Sequence, residues 1–103
     1  MRKPTPEVVL KALEISYFKN LEENPLMVYQ SLDDLLPSVN KYLTSMGFKM
    51  LSIEELERIV DILHKKYWLS GFYRHPKVRG FPILIEFRKR IFTKGLEPEE
   101  LNS

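Results

Sequence analysis

The apolar residues of this chain change period once, and that change sets what the chain can fold into. Up to Tyr67 they recur three and four residues apart, whereas Ile83, Ile85 and Phe87 alternate with Leu84 and Glu86. A repeat of about 3.6 residues buries one face of a helix, and a repeat of two buries one face of a strand. Helices therefore come first and a small β unit last. The clearest helix is Ser52–Lys66. Ser52-Ile53-Glu54-Glu55 reads as a capping box, in which the hydroxyl and the glutamate each satisfy a free backbone N–H. Ile53, Leu56, Val60, Leu63 and Tyr67 then follow at spacings of 3, 4, 3 and 4. Acids at its start and His64, Lys65 and Lys66 at its end match the helix dipole.

The same logic places the earlier elements. Thr5 as N-cap, Pro6 at the first helical position and Glu7 in the first turn open a helix whose stripe is Leu10, Leu13, Tyr17 and Leu21, widened by Val9 and Phe18. Asn24-Pro25 ends it, because a residue before proline is pushed out of the helical region. Leu26-Met27-Val28-Tyr29 is too short for periodicity to choose between strand and helix. Ser31 caps Leu32 to Leu36, and Pro37 either breaks that helix or begins the next one. Val39, Tyr42, Leu43 and Met46 mark a stripe over 38–46, closed by Gly47. After Ser70-Gly71, a hairpin is expected: one strand over 69–74, a basic loop at 75–80, and a second strand over 82–87. Pro82 suggests an edge strand. Arg88 to Phe92 extends that strand or starts a short helix, and Trp68 and Phe87 are expected in the core.

The fold class that follows is mainly α with a small antiparallel β-hairpin (α+β). It is a single domain over 1–103, with a core at about 5–92 and a polar tail at about 95–103. No cysteine is present, which excludes disulfides, a thiolate zinc site and a cysteine nucleophile. No apolar run approaches the ~18 residues of a membrane span. Met1-Arg2-Lys3-Pro4-Thr5 leads into an amphipathic segment rather than an apolar signal core, so a cytoplasmic, intracellular domain without membrane contact is expected.

Charge is informative only when resolved along the chain. The formal total is +2, but residues 1–62 carry −3, residues 63–95 carry +8 and residues 96–103 carry −3. Seven of the twelve aromatics fall in the basic third. Such a block points to a polyanionic partner. Catalytic signals are poor: His64 and His75 are the two histidines, and no paired-histidine, glycine-rich phosphate-loop or nucleophile-elbow motif occurs. Asp33-Asp34 and Glu54, Glu55 and Glu57 read as partners of helix dipoles. No enzyme activity, metal or cofactor is expected.

Helices followed by a hairpin with a basic tip resemble the winged helix-turn-helix superfamily in architecture, over roughly residues 5–90. Val39-Asn40-Lys41-Tyr42-Leu43-Thr44-Ser45-Met46-Gly47-Phe48 is similar to many recognition-helix endings, and Lys77 and Arg79 would sit in the wing. The resemblance implies binding of duplex DNA, by a helix in the major groove and a wing on the backbone or minor groove. Strict chain order would make Ser52–Lys66 the recognition helix, yet Glu54, Glu55, Glu57 and Asp61 crowd its start beside Arg58 alone. Carboxylates there would be repelled by phosphates, so either 38–46 is the reader, the duplex lies on the hairpin, or no duplex binds.

The expected function is that of a nucleic-acid-binding transcription regulator, or an accessory subunit of a replication or transcription complex. The candidate contact residues are Lys41, Thr44, Ser45, Lys49, Lys65, Lys66, Arg74, Lys77, Arg79, Arg88, Lys89 and Arg90. Tyr73 and Phe81 are candidates to stack on unpaired bases. DNA is the first partner expected. The alternative is a non-catalytic protein-interaction module, docking on an acidic protein or on a second copy of the chain through a surplus apolar face that includes Ile59 and Ile62.

Overall fold

A computed structural model describes residues 1–92; the polar tail expected at 95–103 lies outside them. Helix α1 spans Pro6–Glu23, strand β1 Gln30–Ser31, helix α2 Leu32–Ser45 and helix α3 Ile53–Tyr67. A 3-10 turn at Trp68–Ser70 leads into strand β2 (Phe72–Arg74), and strand β3 (Leu84–Phe87) closes the sheet. Among the described residues the architecture is mixed α+β, with three helices and one three-stranded antiparallel sheet in the order β1-β3-β2.

The helix ends follow the expected chemistry. Thr5 Oγ1 accepts the Val8 N–H, Ser31 Oγ accepts the Asp34 N–H, and the Ser52–Glu55 box is complete in both directions. Gly47 closes α2 with φ of +83°, a conformation that costs a residue with a Cβ far more than glycine. The stripes meet in one core: Leu10, Leu13 and Tyr17 of α1, Leu35, Val39 and Leu43 of α2, and Leu56, Val60 and Leu63 of α3. Phe72, Ile83, Ile85 and Phe87 complete it from the sheet side.

Several expectations need correction. Pro37 neither breaks nor starts a helix: α2 runs through it, with Leu35 on one side and Val39 on the other both fully buried. The backbone bond that proline removes lies near the start of α2, and burial on both sides outweighs it. Leu26 to Tyr29 is neither strand nor helix; the strand is Gln30–Ser31. Gln30 is buried and holds this segment to α1 through its side chain, donating to the Tyr17 and Met27 carbonyls and accepting from Asn20 Nδ2.

The first hairpin strand is shorter than expected because residues 68–70 coil into a 3-10 turn ending at Gly71, whose φ is +108°. Likewise, β3 begins at Leu84 rather than at residue 82. It is the central strand, so Pro82 precedes it instead of marking an edge. Arg88 to Phe92 forms neither strand nor helix. Trp68, expected in the core, is 47% exposed on the 3-10 turn, whereas Phe87 is buried as expected.

Candidate functional site

The loop joining β2 to β3 projects from the sheet and is braced at its base. Arg74 Nε lies 2.5 Å from Asp61 Oδ1 of α3, and the Arg74 N–H donates to Nδ1 of His64 at 3.1 Å. Across the hairpin, His75 Nε2 lies 3.2 Å from Oε1 of the buried Glu86, and its backbone N–H donates to the Leu84 carbonyl. At the tip, the Phe81 N–H donates to the Val78 carbonyl, with Gly80 at φ of +84°. No described non-glycine residue has positive φ, so this is a type II turn with Arg79 and Gly80 at its centre. The fold therefore presents Lys77 and Arg79 outward, both exposed and, among the described residues, without an ion-pair partner.

The other candidate cations divide into separate places. Lys65 is exposed on α3 without an ion pair among the described residues, as is Arg58 two helical turns earlier. Lys66 reaches across to Glu7 of α1 at 2.8 Å. That contact holds the Glu7 carboxyl below the usual carboxylate range and raises the Lys66 ammonium above its ordinary value. Asp61 and Lys66 thus tie opposite flanks of α3 to β2 and to α1.

Arg88, Lys89 and Arg90, candidate contacts together with Lys77 and Arg79 of the loop, are put by the register at the other end of the hairpin. Arg74 pairs with Ile85 next to the loop and Phe72 with Phe87 away from it, so residues after Phe87 lead away from the tip. Arg88 stacks over Tyr73 at 4.1 Å and lies 3.7 Å from Glu86. Lys89 packs its stem against Gly71, where an added Cβ would come within 2.9 Å of its Cγ. Arg90 covers Phe18 and lies 3.6 Å from Glu22.

The 38–46 segment does not join the loop either. Lys41 and Ser45 line a groove with Ile15, Ser16 and Lys19 of α1, while the hairpin loop lies over the opposite end of α2. The hydroxyls of Thr44 and Ser45 donate to carbonyls within their own helix, at Asn40 and Lys41 and at Tyr42. Lys49 is on a third surface, beside Lys3, Met50 and Glu55.

Between the hairpin loop, β1 and the start of α2 runs a groove of about 600 Å³, within the ~300–1,000 Å³ range of small-ligand sites. Tyr29, Pro76, Val78, Phe81, Pro82 and Leu84 form its apolar wall, and Asp33 and Asp34 stand at its α2 side. Tyr29 packs edge-to-face on His75 at 4.9 Å. Sequence alone gives no warning of this groove, because Tyr29 and Phe81 are 52 residues apart and β1 is only two residues long.

Among the described residues no group of three or more histidines or acids is placed to hold a metal, and no helix is long and apolar enough to cross a membrane. Comparison with known proteins finds no matching family model, curated protein or solved structure. Any functional reading therefore stands on the geometry above.

Proposed function

We propose that this chain is a nucleic-acid-binding protein of winged-helix type, acting by stoichiometric binding as a transcription regulator or as an accessory subunit of a replication or transcription complex in the cytoplasm. The observation that carries this reading is the pair Lys77 and Arg79, unpaired among the described residues on a loop braced against α3. The element order and the sheet order β1-β3-β2 support the winged-helix assignment. In this reading Lys77 and Arg79 hold backbone phosphates, and Arg58 and Lys65 extend the cationic surface onto α3. Asp61, the α3 acid at the base of the loop, is paired with Arg74. Phosphate contacts of this kind position the partner and carry affinity, not sequence.

The decisive experiment is a titration of labelled duplex and single-stranded DNA and of RNA at two salt concentrations, with the wild type and a Lys77→Ala/Arg79→Ala variant. The variant is expected to bind more weakly and to lose about 1.8 from the slope of log affinity against log salt on duplex, at ~0.9 per phosphate contact. An unchanged affinity and slope would remove the proposal.

A second reading has its own observation. Ile62 is 54% exposed on α3, and Leu69 and Trp68 are exposed just beyond its end. Of the two residues expected on a surplus apolar face, Ile62 is thus exposed while Ile59 packs against the core, and exposed apolar residues of this kind suit a protein-interaction module. Sedimentation at several concentrations, with Ile62→Lys as control, separates self-association from nucleic-acid binding.

A further inference from the structure

We infer that the groove beside the hairpin loop is a seat for one unpaired nucleobase, with guanine the preferred occupant, so that the protein grips single-stranded or locally opened nucleic acid. This rests on the nucleic-acid reading above and narrows its substrate.

The groove is built for a flat ring with an anionic end and a hydrogen-bonding edge. Tyr29, 57% exposed, comes from the β1 side and Phe81, 65% exposed, from the loop side. Stacking on aromatic rings is the usual means by which proteins hold unpaired bases, because every base presents a π-face. The Tyr29 ring is held in place beforehand: His75 packs on it edge-to-face, and Glu86 is bonded to His75 in turn. A preset ring binds without the ordering cost that a mobile one incurs.

Polarity runs across the groove. Lys77 and Arg79 do not line the groove themselves, but they are the chain neighbours of Val78, a wall residue, and put two exposed cations on the loop that bounds it. Asp33 and Asp34 stand on the α2 side without ion pairs among the described residues. Ionised carboxylates only accept hydrogen bonds. A nucleotide is polarised in the same sense, with phosphate at one end and N–H donors on its base edge at the other. Guanine offers an imino and an amino N–H side by side, which matches the two oxygens of one carboxylate. A base inside a duplex is stacked and paired, so it cannot enter.

The test uses the full chain and labelled 12-mers: a guanine-rich single strand, an oligothymidine and a duplex. Binding is followed by anisotropy with wild type, Phe81→Leu, and Asp33→Asn/Asp34→Asn. Phe81 and both aspartates are exposed, so the variants are expected to keep their circular dichroism spectra. Phe81→Leu is expected to lose roughly 5- to 150-fold on single strands, the range for one stacked base, with duplex affinity unchanged. The aspartate variant is expected to lose the preference for guanine over thymine while retaining overall affinity. Equal losses on single strand and duplex, or none on either, would overturn the base seat and leave the phosphate-binding reading standing. Absence of binding to every oligonucleotide would overturn both. Concentration-dependent dimerisation abolished by Phe81→Leu would assign the groove to a second copy instead.

Discussion

Arg74 of β2 and Asp61 of α3 form an ion pair with Nε and Oδ1 2.5 Å apart, at the base of the projecting hairpin loop. The pair removes Arg74 from the set of cations available to a polyanion and neutralises the α3 acid at the base of that loop. Asp61→Asn is expected to cost about 0.5 kcal/mol in urea unfolding, the modest worth of a partly exposed pair. It is also expected to tighten oligonucleotide binding, because the guanidinium is released beside Lys77 and Arg79. Weaker binding by a folded Asp61→Asn variant would show that the pair orients the loop rather than masks it.

Glu14 is wholly buried in α1, and its carboxylate accepts the backbone N–H groups of Ile91 and Phe92. This fastens the segment after β3 to the first helix. Glu14→Ala leaves two amide donors without that acceptor and is expected to destabilise by ~1–3 kcal/mol. Glu14→Gln, which keeps an acceptor oxygen, is expected to fall between the two. Amide exchange at residues 91 and 92 is the direct readout, and unchanged protection in Glu14→Ala would refute the anchor.

The capping box of α3 makes a pH prediction with a definite sign. Glu55 accepts the Ser52 backbone N–H, and that bond holds its carboxyl below the usual carboxylate range. A group depressed in the folded state stabilises at pH values above its unfolded pKa and loses that contribution as pH falls through the folded one. Thermal unfolding of wild type and Glu55→Gln should therefore differ most near neutrality and converge on acidification. A difference that grows in acid would contradict the assignment.

Local chemistry made much of this fold readable from the chain. The caps at Thr5, Ser31 and Ser52, the terminus at Asn24 and the turn at Gly47 depend on residues a few positions apart, and all stand where the sequence places them. The core stripes depend on period alone and are equally legible. Pro37 was ambiguous for the opposite reason: the cost of a proline in a helix is local, but the burial of Leu35 and Val39 that offsets it is not. The third strand was missed because two residues carry no period, and β1 is defined by its partner, β3.

The candidate site divides along the same line. Sequence by itself determined that residues 63–95 would form a +8 segment with seven aromatics, and that Lys77 and Arg79 would lie on a loop. Only the tertiary structure decided which of those cations remain unpaired. Pairing depends on what faces each side chain in space: Asp61 for Arg74, Glu7 for Lys66, Glu22 and Phe18 for Arg90. The β2–β3 register, not the proximity of residues 79 and 88 in the chain, sends Arg88 away from the loop tip. Charge is a property of composition, but an available charge is a property of the fold, because an ionic neighbour is reached through space rather than along the backbone.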